Sequence, residues 1–255
     1  MSFDRDEVLS IQRRAMRDWV AMLGQSAPDS SLDEADGVSA SVVRAVPRRS
    51  IANSVTYLDP AQLIGRLDHL ARLYDANGIE AWTIWVPDFE GETIAELERR
   101  GHSFDGDPAA MVLELADWDP PEVGDLDWDT DGTGEVAGAL NDRAYGLESD
   151  GFAAGLVSPP EFVRSYQARV GGEVACVLAT IDHEDDLGFY FVATDPDHRG
   201  RGLASRLMVV ALADARERGL RTSSLQSSKL GRPVYERLGY ESYFRFHMYE
   251  RRRQK

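Results

Sequence analysis

The stretch richest in chemistry is VATDPDHRGRGLASRL, residues 192–207. A strand-like run passes through a proline turn into Arg199-Gly200-Arg201-Gly202, and a helical pattern begins directly afterwards. Gly200 and Gly202 have no side chain, so a ligand can approach the backbone closely. The first amides of a helix lack internal partners and point outward. Together with the helix dipole they make an anion site. HRGRGLASR (198–206) holds three arginines and no acid, in a chain of net charge −16. This predicts a phosphorylated ligand gripped by main-chain NH groups. A bare Gly-x-Gly reads more simply as a tight turn with solvated arginines, but the strand before, the helix after and the local charge favour the anion site. Two familiar phosphate loops do not fit. No Gly-Lys-Ser/Thr occurs, and a dinucleotide loop needs Gly-x-Gly-x-x-Gly right after its strand with an acid about 20 residues on. Here Ser205 stands at the third glycine, Asp195 to Arg199 separate strand from loop, and Leu225-Gln226 holds the acid's place.

The elements that position this loop can be read outward from it. Residues 186–194 form the preceding strand and 202–218 the following helix, with Leu203, Leu207, Val210 and Ala211 on one side. TSSLQSS (222–228) is a strand with its loop, a short helix leads to Gly239, and SYFRFHMYE (242–250) closes the sheet. VACVLATI (174–181) is apolar on both faces, as a buried central strand should be. Val136, Leu140, Ala144 and Leu147 mark a helix. Ser158-Pro-Pro-Glu161 has capping-box spacing and predicts a second helix carrying Phe162, Tyr166 and Val170, stopped by Gly171 and Gly172.

Further upstream, ADWDPPEVG (116–124) reads as a linker. Before it lie a helix over 3–23, a polar loop over 25–37, strands over 39–46 and 51–58, and a helix over 60–77. Asp59 caps that last helix, and Leu63, Leu67, Leu70 and Tyr74 form its stripe. A strand (81–86), a helix (91–100) and a strand (110–115) complete the first half. The halves echo one another: Glu98-Arg99-Arg100-Gly101 lies over Glu236-Arg237-Leu238-Gly239, each between a strand and a last strand. The reading is a weak internal duplication, although glycine-closed helices are common in their own right. The expected division is 1–118 and 119–255.

Arg199-Gly200-Arg201-Gly202-Leu203-Ala204, together with Val234-Tyr235-Glu236-Arg237-Leu238-Gly239-Tyr240, resembles the GNAT superfamily of N-acetyltransferases. The first matches the family's acetyl-CoA loop and the second its closing signature, and residues 187–249 follow its order of elements. The resemblance implies an α/β (α+β) fold of two GNAT-like modules, each a mixed, mostly antiparallel sheet flanked by helices. The first is degenerate, having no Gly-x-Gly between 51–58 and 60–77 and Leu97 in the place of Tyr235. It also implies an acetyl-CoA cosubstrate and no metal. Amides from Gly200, Arg201, Gly202, Leu203, Ala204 and Ser205 would hold the pyrophosphate. Val192, Ala193 and Thr194 would meet the pantetheine, Ser228 would bond it, and Arg199, Arg201 or Lys229 would reach the 3′-phosphate. Tyr235 would meet the sulfur and protonate the leaving thiolate as general acid.

An alkyl amine has a pKa of about 10.4 and must lose a proton before it attacks. Many relatives place a Glu for this on the strand before the loop, and 187–194 contains no carboxylate. Tyr190, Glu148 and Asp150 are the candidate bases. Two functions follow. One is acetyl transfer to a primary amine of a small molecule or peptide in a ternary complex. The other is a catalytically silent CoA-binding sensor or scaffold. The chain's acidity leans toward a cationic acceptor such as a polyamine, an aminoglycoside or a lysine side chain.

Composition bounds the rest. The chain has 255 residues, 43% hydrophobic and 28% charged, which suits a globular protein and neither a disordered nor a membrane one. With 28 Lys+Arg against 44 Asp+Glu, neither nucleic acid nor an anionic membrane is an expected partner. The single cysteine, Cys176, reads as inert core, and with the start MSFDRDEVLS it points to a reducing cytoplasm. His183-Glu184-Asp185-Asp186 has metal-ligand residue types but reads as a solvated hairpin tip. The oligomeric state, monomer or homodimer, stays open.

Overall fold

A computed structural model describes residues 3–147 and 151–253. The first helix, α1 (Arg5–Gln25), opens on a capping box in which Asp4 accepts from the amides of Asp6 and Glu7, and Glu7 accepts from the Asp4 amide at 2.9 Å. Such a cap stabilises a helix by about 1 kcal/mol. β1 (Ser30–Ala35) and β2 (Val38–Val43) form a hairpin across Asp36-Gly37, whose φ values of 52° and 69° suit a two-residue turn. The polar loop expected over 25–37 is therefore half strand. β1 is an edge with few buried side chains, so it carries no apolar alternation to betray it. The chain continues through β3 (Ser54–Tyr57), α2 (Pro60–Ala76), β4 (Ala81–Pro87), α3 (Gly91–Arg99), β5 (Ser103–Gly106) and β6 (Ala109–Glu114).

After the linker come β7 (Trp128–Asp129), α4 (Gly134–Tyr145), β8 (Val163–Val170), β9 (Glu173–His183), β10 (Asp186–Thr194), α5 (Leu203–Glu217), β11 (Thr222–Ser227), α6 (Arg232–Arg237) and β12 (Glu241–Arg252). The helix expected to carry Phe162, Tyr166 and Val170 is β8 instead, paired antiparallel with β9 from Val163↔Ile181 to Val170↔Glu173. A spacing of four keeps side chains on one face of a strand as well as near one face of a helix. Gly171 and Gly172, at φ 62° and 87°, turn a hairpin rather than cap a helix.

All twelve strands form one mixed sheet, mostly antiparallel, with six α-helices on its faces. The order is β1-β2-β3-β4-β12-β6-β11-β10-β9-β8-β7, with β5 also against β12. Only β3–β4 and β10–β11 are parallel, and each pair is joined by a helix, α2 or α5. β12 does not close the sheet. It lies in the middle, residues 246–252 pairing with β4 and residues 241–245 with β6, while β6 also pairs with β11. The strand before the linker and the last strand thus bind the two halves by backbone hydrogen bonds, and that last strand runs on through Arg251 and Arg252. α2 buries Leu63, Leu67, Leu70 and Tyr74 against the first half, and α5 buries Leu207, Met208, Ala211 and Leu212 against the second. Each such aliphatic side chain contributes about 1.5–3 kcal/mol. α1 serves both halves: Val8, Met16 and Trp19 share a core with Val43 and Trp85 on one side and with Ala179, Tyr190 and Phe246 on the other. Among the described residues no helix is long and apolar enough to cross a membrane.

Candidate active site

After β10 the chain makes a single 3₁₀ turn at Pro196–His198, where the Asp195 carboxylate accepts from the Asp197 amide at 2.9 Å. Arg143 of α4 clamps this turn, at 3.0 Å from Asp195 and 2.9 Å from Asp197, and Arg199 donates to the Ala144 carbonyl. The loop then reaches Gly200 (φ 75°) and Gly202 (φ 71°), the latter being the N-cap of α5. A Cβ on Gly200 would meet nothing within 4 Å, and on Gly202 only Arg206 Cδ at 3.9 Å. These glycines are needed for left-handed backbone and open approach, not to avoid neighbours. No side chain caps α5, and among the described residues nothing accepts from the amides of residues 200–205. The NH groups of the N-cap and first turn, residues 202–205, are therefore unpaired among the described residues, where the dipole adds partial positive charge. Beside them Arg201, Arg169 and Arg206 line a small cavity of about 290 Å³ together with Asp125 and Asp127, and Arg169 is ion-paired with Asp129. Arg206 also ties the linker to α5 through the carbonyls of Val123, at 2.6 Å, and Asp125.

The matching helix start in the first half is built differently. At α2 the Asp59 carboxylate accepts from the amides of Ala61 and Gln62 at 2.8 and 3.3 Å, and no glycine precedes it. Its anion site is filled by the chain's own side chain.

The second feature is a split between the parallel strands. β10 and β11 are in register only over Asp186–Gly188 against Thr222–Ser224. Beyond that they part, leaving the β10 edge from Phe189 onward without a ladder to β11. A bulge helps to part them: against β9 the register jumps between Tyr190 and Ala193, and Phe191 sits at φ 51°. A non-glycine residue there costs about 1–2 kcal/mol. The split opens into a cavity of about 550 Å³, lined among others by Val192, Ser228 and Tyr235. Tyr235 comes from α6. Its ring lies so close to Gly231 that a Cβ there would sit 2.8 Å from Cε2. The Tyr235 hydroxyl makes no hydrogen bond among the described residues, and burial pushes its pKa well above 10, with the Tyr145 and Cys176 side chains adding to the effect. Among the described residues it is a donor without a partner. Nearby, burial pushes the Cys176 thiol up to about 11, against a weak opposing hydrogen bond from Thr194 Oγ1 at 3.4 Å.

The candidate bases fare differently. Tyr190 lines the cavity but is held as a neutral phenol: its hydroxyl donates to the Ala15 carbonyl at 2.9 Å and meets His183 Nε2 at 2.9 Å. Burial raises its pKa well above 10, and Asp186 and Asp18 raise it further, which disfavours the phenolate that a base would need. Glu148 and Asp150 lie outside the described residues. Of the residues considered for the 3′-phosphate, Arg201 lies beside the loop, Arg199 is engaged with α4, and Lys229 lines the large cavity. Ser228 accepts from the Gly231 amide at 3.2 Å. The 183–186 cluster is a solvated tip only at Glu184 and Asp185. His183 is buried against Asp18 at 2.7 Å, and Asp186 accepts from Thr222 and Ser224 at 2.7 and 2.6 Å. Among the described residues no group of three His, Cys, Asp or Glu could hold a metal ion.

One wall of the cavity has no counterpart in the sequence reading. Trp19, Ile51, Trp85 and Met248 line it from α1, the turn before β3, β4 and the far end of β12. Trp19 stacks on Tyr190 at 5.1 Å and 13°. No local motif announces this wall, because only the sheet order brings those segments to β10.

Residues 162–242 match the family model of the acetyltransferase (GNAT) domain. No curated protein sequence matches the chain. Among solved structures, a GCN5-related N-acetyltransferase from Kribbella flavida shares 17% identity at a TM-score of 0.65, covering 93% of this chain and 94% of that one. A tandem GNAT protein from the clavulanic acid biosynthesis pathway shares 16% at a TM-score of 0.61, covering 100% and 98%. A GCN5-related N-acetyltransferase from Sphaerobacter thermophilus shares 14% at 0.57, covering 95% and 93%. At such identities the likeness is one of fold, and it extends over the whole chain.

Proposed function

We propose that this chain, in which residues 162–242 carry a GNAT domain within a GNAT fold, is an acetyl-CoA-dependent N-acetyltransferase acting on a primary amine in a ternary complex. Residues 119–255 form the acetyl-CoA-binding module, and residues 1–118 a degenerate copy whose helix start is capped by Asp59. The observation that carries the reading is the row of unpaired amides at 200–205, placed at the end of a strand that has parted from its neighbour.

The diphosphate of the cosubstrate sits on those amides, and Arg201 beside them takes the 3′-phosphate. The pantetheine arm lies along the exposed edge of Val192, Ala193 and Thr194, with Ser228 opposite. A main-chain NH near Val192 steadies the carbonyl oxygen as it gains charge. The amine first gives up its ammonium proton to solvent, helped by the apolar cavity, which disfavours the charged form. Its nitrogen then attacks the thioester carbon. The C–N bond forms, the C–S bond breaks, and the Tyr235 hydroxyl protonates the departing sulfur. The surplus proton on nitrogen restores the phenol.

A silent CoA-binding module has less support, since it gives no role to an unpartnered tyrosine hydroxyl in the cavity. Tyr235→Phe separates the two. As an enzyme, the protein loses about 10²–10⁴-fold in kcat while its acetyl-CoA Kd stays within about threefold, read by thiol release and calorimetry. Wild-type protein that binds acetyl-CoA yet releases no thiol with any amine refutes the catalytic reading.

A further inference from the structure

The cavity beside Tyr235 differs from the protein's surface in chemistry. The chain carries net charge −16, yet among the described residues Asp107 is the only carboxylate lining the cavity. Asp107 is already engaged on one oxygen: Arg245 Nη1 lies 2.9 Å from its Oδ2, and Lys229 Nζ lies 3.9 Å from its Oδ1. Two cations, Arg49 and Lys229, line the same space. The walls are otherwise rings and aliphatic groups, eight of the lining residues being aromatic. Trp19 is stacked on Tyr190, Phe152 packs edge-on against Phe191 at 5.1 Å, and Trp85 is fixed by its Nε1 hydrogen bond to Ser54 at 3.0 Å. These rings are locked in place rather than loosely folded into the space.

We infer that the acceptor is a primary amine borne on an aromatic or bulky apolar body, an arylalkylamine, selected by the wall that Trp19, Ile51, Trp85 and Met248 contribute from outside the GNAT domain. This rests on the acetyltransferase reading and names the substrate class of the same site. The chemistry of the walls carries it. Aromatic faces gain from stacked or edge-on contact with another ring. A single ammonium can pass over them by cation–π attraction and then shed its proton in a desolvated site. A polyamine or an aminoglycoside would have to leave several charges there with, among the described residues, only the already engaged Asp107 to receive them, which is costly. Among the described residues the acids other than Asp107 lie outside this cavity, so the net charge of the sequence does not carry over to its lining. The cavity, about 550 Å³ and shared with the end of the pantetheine arm, falls within the ordinary range for small-molecule sites.

The test is a thiol-release assay of the full chain with acetyl-CoA and each of 2-phenylethylamine, tryptamine, spermidine, an aminoglycoside and a lysine peptide. Acetyl-CoA affinity is measured separately by calorimetry. The expected result is a kcat/KM for the arylalkylamines at least 30-fold above the polycations and the peptide. Ile51→Glu sets a carboxylate into the wall. It should lower the arylalkylamine kcat/KM at least tenfold and raise that of spermidine, with the acetyl-CoA Kd within twofold and the melting curve retained. If the wild type binds acetyl-CoA but acetylates polycations or peptides as well as or better than arylalkylamines, or leaves arylalkylamines untouched, the inference is overturned and the cofactor site stands. If acetyl-CoA does not bind at all, the parent reading fails with it.

Discussion

Replacing Gly200 by aspartate and, in parallel, by asparagine isolates the charge at the loop from its shape. Gly200 has φ 75° and open space around a new Cβ. Asn and Asp are the residues that best tolerate left-handed backbone, so both variants lose a similar, small amount of stability, about 1 kcal/mol or less. Only aspartate brings a negative charge to the amides of residues 200–205. Two unit charges about 5 Å apart repel by roughly 1.7 kcal/mol at an effective dielectric of about 40, a value between water and protein interior. A diphosphate with two nearby charges doubles this to about 3 kcal/mol, and salt screening of an exposed loop cuts it to about 2. That is about a 30-fold weaker Kd for acetyl-CoA in the aspartate variant. The asparagine variant should lie within about threefold of wild type. Calorimetry at low and high salt reads both numbers, and the aspartate deficit should shrink as salt rises. Equal affinities in the two variants would refute the placement of a diphosphate at these amides.

Other perturbations reach the site from different sides. Gly188→Ala sets a Cβ 2.5 Å from His183 Nε2 and 2.7 Å from the Tyr190 hydroxyl, so it should lower stability by about 1–3 kcal/mol and impair acceptor use while acetyl-CoA affinity persists, as melting curves and kinetics will show. Gly231→Ala crowds the Tyr235 ring at 2.8 Å and should reduce kcat about tenfold or more with little change in acetyl-CoA Kd. His102, packed edge-on against Trp82 at 4.7 Å, has its pKa lowered to about 4 by burial, with a Tyr249 backbone contact opposing and the Arg251 and Arg100 charges adding. Its neutral form stabilises the fold fully above the unfolded value of about 6.5, and that stability is lost as pH falls toward 4, about 3 kcal/mol in all. Denaturant titrations from pH 7 to 4 should show this slope, and His102→Phe should flatten it.

What could be read in advance was local. The Arg-Gly-Arg-Gly loop announced itself because a helix start, two glycines and three arginines are contiguous. The Asp59 cap and the stripe Leu63, Leu67, Leu70, Tyr74 gave α2 nearly residue by residue. β8 was misread because Phe162, Tyr166 and Val170 satisfy both periods, and its partner β9, which decides the matter, follows across a two-glycine turn that also suits a helix end. β1 escaped because an exposed edge needs no apolar face. The place of β12 between β4 and β6 is not encoded in its own residues, being a choice among partners far away in the chain. The acceptor wall was illegible for the same reason: Trp19 looks like one more apolar position on a helical stripe until the sheet sets it against Tyr190.

A crystal structure of the full chain with CoA bears most directly on the loop. Phosphate oxygens about 2.7–3.2 Å from several amides of residues 200–205, with the sulfur near the Tyr235 hydroxyl, is the predicted result. A CoA bound with its diphosphate away from those amides, or with its thiol outside the gap between β10 and β11, would contradict it.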